Sequence, residues 1–403
     1  MTAVDAVEAA APPWRGGFGR LWSAAIVSRF GDALRTAALP LLAASLTDDP
    51  LLIASVTACG YLPWLLFGLL GGAVADRVDQ RRAMWGVDLV RGALMGAFAL
   101  AVGFGQASIA LLLLLAFFLT TLQTLFDNAA TALLPSLVER RELGSANARL
   151  MTGQQIAGSL LAAPLVPLLL LVDVAAPHAV NAVTYGLAAL LILSLRAGAP
   201  ERPPRKAGST LRGEIAEGLR FLAGDRTLRG LCLATTLCNI GMSALIATLV
   251  LHVTGWLDAG NSGYALTLTA FGVGSVVGGL LAKRLAEWTG RVRAMLLAGT
   301  VQICSLAVLG SVRRIGVAVC CLAVLGAMGM VWNVQQATLT QERSPREMLG
   351  RISSAFRTLA LAGAPLGALL GGAAAAGWGL NAPALLTAGF FVLAIASLSP
   401  LIN

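Results

Sequence analysis

Long apolar stretches alternate with short polar spacers along most of the chain. A helix needs about 20 consecutive apolar residues to cross a bilayer. The sequence offers twelve such stretches, at residues 20–45, 51–73, 83–104, 108–133, 149–171, 178–196, 228–252, 262–282, 293–311, 315–338, 352–376 and 379–399. The pattern therefore predicts an all-α membrane protein with twelve transmembrane helices.

The composition agrees with this prediction. The 403 residues are 57% hydrophobic and 12% charged, whereas about a quarter of the residues of a soluble protein are charged. The net charge of +9 comes from spacer residues that do not alternate with aromatic side chains, as a nucleic-acid platform would require. The expected partners are therefore the lipid bilayer, a small-molecule substrate and protons, with no nucleic acid, and the protein is expected to be a monomer.

Lys and Arg concentrate in every second spacer, after the second, fourth, sixth, eighth and tenth stretches. The opposite spacers hold none except Arg313 and Arg314. Because loops rich in Lys and Arg stay in the cytoplasm, we predict a multi-pass protein of the bacterial inner membrane with both termini in the cytoplasm.

A polar segment and an internal repeat divide the chain into two halves. Residues 71–77 match residues 278–284, and Leu143-Gly144 match Leu349-Gly350, which implies two parallel six-helix halves. Part of the polar segment, residues 211–222, is amphipathic and could lie on the membrane surface. The predicted organisation is a cytoplasmic tail at 1–19, a six-helix bundle at 20–196, a cytoplasmic linker with an amphipathic helix at 197–227, and a second six-helix bundle at 228–403.

The spacer after the second stretch, GGAVADRVDQRR at residues 71–82, resembles the signature G-x-x-x-D-R-x-G-R-R/K of the major facilitator superfamily. Asp79 and Gln80 stand where that signature usually has Gly and Arg. The residues that fit it, and that the resemblance makes a conformational gate together with Asp127, are Gly72, Asp76, Arg77 and Arg81. The resemblance places Asp76 near residues 352–355 and Asp127 near Arg81 or Arg77.

Three further segments resemble the bacterial efflux branch of this superfamily, which includes macrolide exporters and the enterobactin exporter. They are SRFGDALRTAALPLL at residues 28–42, DLVRGALMG at 88–96 and ATALLPSLVERRELGSANARL at 130–150. The resemblance implies a secondary exporter of drugs or other amphipathic small molecules that works by alternating access and proton antiport. An exporter of an anionic siderophore or metabolite, or a metabolite importer of the same fold, are the alternatives.

The first predicted helix carries Arg29, Asp32 and Arg35 within an apolar stretch. A charge at the middle of a membrane costs roughly 2.5–3.5 kcal/mol on insertion scales, so these side chains should face a watery cavity or a partner. One interpretation is a structural salt bridge from Asp32 to one of the arginines. The other makes Asp32 the protonatable coupling group, with an arginine that tunes it or anchors a substrate anion. Asp88 is expected to pair with Arg91, one turn away, with no function assigned to Arg91.

Polar and aromatic residues inside the other predicted helices are candidates for a substrate cavity or for packing between helices. They are Phe30, Tyr61, Trp64, Gln123, Gln154, Asn239, Trp332, Asn333, Gln336 and Arg357. The glycine-rich residues 272–281 are expected to pack helices closely. No catalytic triad and no Cys or His cluster of ligand spacing occurs in the sequence, so we expect no enzyme activity, no cofactor and no metal site.

Overall fold

The computed structural model describes residues 17–75, 79–134, 137–138, 143–195, 211–345 and 348–398. Within these ranges all regular structure is helical. The predicted gate residues Asp76 and Arg77 lie outside the described residues, as does most of the predicted N-terminal tail.

The first group of helices runs from residue 17 to residue 193. Its members are α1 (Gly17–Leu46), α2 (Pro50–Ala75), α3 (Gln80–Gly103), α4 (Ile109–Leu133), α5 (Leu143–Gln155), α6 (Ala163–Val172) and α7 (Ala176–Leu193). A π-helical segment, Ile156–Ala162, joins α5 to α6.

The second group follows a shorter helix, α8 (Leu211–Gly224). Its members are α9 (Arg226–Leu251), α10 (Gly260–Thr289), α11 (Arg291–Ser311), α12 (Ile315–Arg343), α13 (Leu349–Ala362), α14 (Ala364–Trp378) and α15 (Ala382–Leu398). A second π-helical segment, His252–Trp256, extends α9.

Ten helical stretches in the described ranges are long and apolar enough to cross a membrane. Helix α15 is apolar but shorter. Helix α1 is 30 residues long but is interrupted by Arg29, Asp32 and Arg35, and it is not among the ten. The protein is therefore an all-helical multi-pass membrane protein, and the number of twelve spans stays a prediction.

Side-chain caps fix where several helices begin. Asp79 accepts a hydrogen bond from the backbone N–H of Arg82 at 3.0 Å and starts α3. Asp225 accepts one from the backbone N–H of Leu228 at 2.8 Å and starts α9. Such caps satisfy backbone donors that have no partner within the helix. Gly290, with φ of +83°, makes the turn between α10 and α11 because glycine adopts this conformation without strain.

The two groups pack internally in the same pattern. In the first, α1 and α3 pack on α7, and α2 packs on α4; in the second, α9 and α11 pack on α15, and α10 packs on α12. The groups meet where α2 contacts α9, α13 and α14 and where α6 contacts α10.

Glycines allow the closest of these contacts. A Cβ on Gly274 or Gly278 of α10 would overlap the backbone of α12 at Ala323 or Ala327, so the packing prediction for residues 272–281 is confirmed. Between the groups, a Cβ on Gly372 of α14 would lie 2.7 Å from the Ala54 Cβ of α2.

Helix α8 docks on the second group. Arg351 of α13 donates from Nη1 to Oε2 of Glu217 at 2.5 Å, and Gly218 lies against the Arg351 backbone, where a Cβ would meet the carbonyl oxygen at 2.8 Å. The amphipathic linker helix is therefore present, and it contacts α13 and α9.

Candidate functional site

A buried arginine lies at the centre of the first group of helices. Arg91 comes midway along α3 and its side chain has no solvent exposure. It donates from Nη2 to Asp32 Oδ1 of α1 at 2.5 Å and from Nη1 to Asp88 Oδ1, one turn away on α3, at 2.8 Å. Charge-assisted hydrogen bonds of this kind are stronger than neutral ones, so Arg91 ties α1 to α3.

Tyr185 brings α7 into the same cluster. Its hydroxyl donates to Asp32 Oδ1 at 2.6 Å and accepts from Arg91 Nη2 at 2.8 Å. The Arg91 guanidinium carbon lies 4.0 Å from the centre of the Tyr185 ring, where the ring face attracts a cation.

Helix α4 closes the cluster through an amide. Gln123 Oε1 accepts a hydrogen bond from Arg91 Nη2, and Gln123 Nε2 donates to Asp127 Oδ1 at 2.8 Å. Ser28 of α1 accepts from Arg91 Nη1 at 3.2 Å. The ionic cluster, which we define as Ser28, Asp32, Asp88, Arg91, Gln123 and Tyr185, thus joins α1, α3, α4 and α7.

The other two arginines of α1 differ in their surroundings. Arg35 Nη2 lies 3.6 Å from Asp32 Oδ1, and its side chain is 11% exposed. Arg29 is exposed, and its Nε would lie 3.8 Å from a Cβ on Gly158 in the π-helical segment. Among the described residues Arg29 makes no ion pair, although its charge acts on Asp32 and Asp127.

The predicted Asp88–Arg91 pair is confirmed, but its importance was missed. The sequence assigned Arg91 no function, whereas it lies midway along α3 and contacts Asp32. Asp88 and Arg91 are two charges one turn apart in an apolar helix, and this pattern could have indicated a second site of buried charge. Tyr185 carried no such signal, because an apolar helix with one tyrosine is ordinary.

Of the predicted gate, Gly72 lies in α2. Arg81 donates from Nε to the Ile192 carbonyl oxygen at 3.3 Å and from Nη2 to that of Leu193. A cation stabilises the C-terminal end of a helix, so Arg81 caps α7. An Arg81–Asp127 ion pair is not among the described contacts, and the alternative partner Arg77 lies outside the described residues.

Three of the predicted cavity residues connect the two groups of helices. The Arg357 guanidinium of α13 lies 5.3 Å from the centre of the Trp64 ring of α2. The Tyr61 side chain of α2 lies beside that of Ser243 of α9. Phe30 of α1 packs against the apolar core instead.

The remaining cavity candidates mostly bond within one group. Asn239 donates to the Ala360 carbonyl oxygen at 2.9 Å, Trp332 Nε1 to Thr235 Oγ1 at 3.4 Å, and Gln336 Nε2 to Thr340 Oγ1 at 3.3 Å. Gln154 is half-buried and Asn333 is exposed. These bonds fit the packing alternative for Asn239, Trp332 and Gln336.

An all-helical membrane protein with a buried ionic centre is characteristic of a secondary transporter. A family model described as "Transmembrane secretion effector" matches residues 8–402. The chain belongs to this family of the major facilitator superfamily.

Relatives with efflux names cover nearly the whole chain. Macrolide efflux protein A of Streptococcus pyogenes is 24% identical over 395 residues, which is 97% of this chain and 96% of that protein. Enterobactin exporter EntS of Shigella boydii is 28% identical over 368 residues, which is 88% of this chain and 84% of that protein.

Solved transporters share the fold at low identity. The nucleoside transporter NupG has a TM-score of 0.73 and 12% identity, and the match covers 95% of this chain and 99% of that one. A bacterial homologue of the iron transporter ferroportin in an inward-facing state has a TM-score of 0.72 and 14% identity, and the match covers 95% of this chain and 97% of that one.

Proposed function

We propose that the protein is a secondary active exporter that moves amphipathic small molecules, such as drugs or secondary metabolites, out of the cytoplasm by proton antiport. The efflux names of relatives that span the chain support the direction. The ionic cluster supports the coupling, because an exporter driven by protons needs an ionisable group inside the membrane.

The proposed topology has twelve transmembrane segments in two parallel halves, with both termini in the cytoplasm of a bacterial cell and the monomer as the working unit. Helices α5 and α6 form one segment through their π-helical joint, and α13 and α14 form another. Helix α8 belongs to the linker. The repeated packing pattern of the two groups and the basic spacers on one side support this arrangement.

The observation that carries the proposal is that the second half builds the same helix contact without ions. Gly31 of α1 lies against Thr184 and Asn181 of α7. Gly241 of α9 lies against α15, where a Cβ would lie 3.1 Å from Thr387 Cγ2, and Thr387 Oγ1 donates to the Gly241 carbonyl oxygen at 2.7 Å. Beside Gly31 stands Asp32, whereas beside Gly241 stands Met242.

A contact of this kind between helices therefore does not require ions. Removing charges from water costs several kcal/mol for each ion, and the second half avoids this cost with an apolar side chain. A feature that costs free energy in one half and is dispensable in the other is best explained by transport.

In the proposed mechanism, proton binding and substrate binding compete. The cluster takes up a proton when the site faces the periplasm, and it releases the proton when the site faces the cytoplasm and substrate binds. Each step changes the charge between α1, α3 and α7 and so biases the relative rocking of the two halves.

Inverted membrane vesicles test this function. With an imposed proton gradient, wild-type vesicles should accumulate a labelled macrolide or a comparable amphipathic dye, and collapse of the gradient should abolish accumulation. Asp32→Asn should lose the gradient dependence. Asp225→Asn is the matched control, because asparagine still caps α9. Gradient-dependent transport by Asp32→Asn at the wild-type level would remove Asp32 from coupling, and uptake in the opposite direction would identify an importer.

A second candidate is export of an anionic metabolite or siderophore. Arg29 and Arg357 are exposed, and neither makes an ion pair with a described residue, so each guanidinium is available for a carboxylate or catecholate group. The relative named enterobactin exporter favours the same candidate. Arg357→Gln should then reduce export of an anionic catecholate more than export of a cationic macrolide, and equal effects on both would argue against it.

A further inference from the structure

The ionic cluster encloses two carboxylates that share the guanidinium of Arg91, and the second nearby cation, Arg35, stands beside Asp32. The side chains of Arg91 and Asp88 are fully enclosed and that of Asp32 is 5% exposed. An enclosed charge without full compensation is costly, and a carboxyl group in this situation is neutralised by a proton. One of the two carboxyl groups is therefore the natural place for a proton.

Asp32 is the better compensated of the two as a carboxylate. Its Oδ1 accepts from Arg91 at 2.5 Å and from Tyr185 at 2.6 Å, and the Arg35 guanidinium stands 3.6 Å away. Two cations and a hydroxyl donor thus surround one negative charge.

Asp88 has fewer partners. Its Oδ1 accepts from Arg91 at 2.8 Å, and the Ser28 side chain of α1 lies beside it. Its Oδ2 is buried and has no hydrogen-bond partner among the described residues. Asp32 Oδ2 also lacks a partner, so the difference between the two carboxyl groups lies in the cations around them.

The wider surroundings keep this difference. Among the described contacts, Arg91 is the cation bonded to Asp88, and the neighbouring carboxylate of Asp32 accepts from the same guanidinium. The other ionisable groups lie around Asp32: Arg29 and Arg35 of α1 and Tyr185 of α7, while Asp127 of α4 is bonded to Gln123.

We propose that Asp88 holds the transported proton and that Asp32 is the permanent anion that positions Arg91. The proposal rests on the proposed proton-coupled export and assigns the proton within the same site. The proton comes from solvent on the periplasmic side and bonds to a carboxyl oxygen of Asp88. It returns to solvent on the cytoplasmic side and leaves Asp88 ionised.

The protonation of Asp88 then decides whether Arg91 bonds to one carboxylate or to two. With Asp88 neutral, the Arg91 charge is balanced by Asp32 alone, and α1, α3 and α7 are held together. With Asp88 ionised, the two carboxylates compete for Arg91, which weakens the contact of α3 with α1.

Infrared difference spectroscopy of the purified full-length protein in nanodiscs tests the assignment without any transport. A step in pH should reveal the carbonyl stretch of a protonated carboxyl group, whose frequency depends on the side chain that carries it and on its hydrogen bonds. Two charge-conserving variants are compared, Asp88→Glu and Asp32→Glu. Two isosteric variants form a second pair, Ser28→Ala, which removes the hydroxyl beside Asp88, and Tyr185→Phe, which removes a bond to Asp32.

The expected result is a frequency shift of the carboxyl band in Asp88→Glu and Ser28→Ala and no shift in Asp32→Glu and Tyr185→Phe. The second pair keeps the test valid if a longer side chain prevents folding. The reverse pattern would assign the proton to Asp32 and overturn the proposal, as would the absence of any such band in the wild type. A failed export assay beside the expected spectra would instead overturn the proposed function and leave the proton on Asp88.

Discussion

Replacing Arg91 by methionine tests whether the ionic cluster has the stability that its geometry predicts. The variant removes a cation that bonds to Asp32, Asp88, Gln123 and Tyr185, while methionine keeps much of the volume. Breaking a buried ion pair by removing one partner costs about 3–5 kcal/mol, because a buried charge is left without compensation. With two enclosed carboxylates and a proton available to one of them, we expect a loss near the lower end of that range.

Restoring neutrality should recover most of this loss. The triple variant with Arg91→Met, Asp32→Asn and Asp88→Asn removes the cation together with both carboxylates that it bonds to, and neutral replacement of buried ion networks is often close to neutral in stability. Arg35 loses its Asp32 partner in this variant, so the recovery is expected to be incomplete. Arg91→Lys should be intermediate, because an ammonium keeps the charge but lacks the planar fork that reaches five partners.

The assay is reversible unfolding of the purified protein in mixed micelles, followed by tryptophan fluorescence. Arg91→Met should lower the free energy of unfolding by about 3 kcal/mol, and the triple variant should regain at least half of it. A loss below about 1 kcal/mol for Arg91→Met, or a triple variant as unstable as the single one, would refute the view that paired charges hold these helices together.

Three further predictions concern other contacts. Gly278→Val should reduce expression and thermal stability, because the new side chain overlaps the backbone of α12 and overpacking costs about 1–3 kcal/mol. Gly279→Ala, whose Cβ would make an ordinary contact with Met330 Cγ at 3.6 Å, should behave as the wild type in the same melting assay. Tyr185→Phe should cost about 1–3 kcal/mol in unfolding experiments, since it leaves buried partners without a hydroxyl group, and an unchanged stability would contradict the observed bonds. Glu217→Gln should change stability by less than about 1 kcal/mol, because its pair with Arg351 is partly exposed, and a larger change that persists in high salt would show that α8 depends on this pair.

The sequence predicted the helices well because the length of an apolar stretch can be read from neighbouring residues alone. The apolar stretches and their spacers fixed most helix positions to within a few residues, and the pair Asp88–Arg91 follows from spacing on one helix. The tight packing of Gly274 and Gly278 was also predictable, because several small residues along one helix favour close approach.

The ionic cluster was only partly predictable because its bonds join residues far apart in the chain. One interpretation paired Asp32 with an arginine of α1, and Arg35 does lie 3.6 Å away, but the shortest ion pair of Asp32 is with Arg91 of α3. Which helix face meets which neighbour depends on the rotation of every helix in the bundle, and no local pattern encodes that rotation. The same holds for Tyr185, whose role appears only when α7 is placed beside α1.

Gly372 allows a close contact between the two groups of helices. A Cβ there would lie 2.7 Å from the Ala54 Cβ and 3.0 Å from the Pro50 carbonyl oxygen, so α14 packs directly against the backbone of the first turns of α2 and the Ala54 methyl group. In the proposed topology this end faces the periplasm. The contact closes the periplasmic side because glycine has no side chain and lets the two helices pack closely. In that topology, a larger residue at position 372 would separate α14 from α2 and keep the periplasmic end from closing. Closure on this side would then depend on a position that carries no charge.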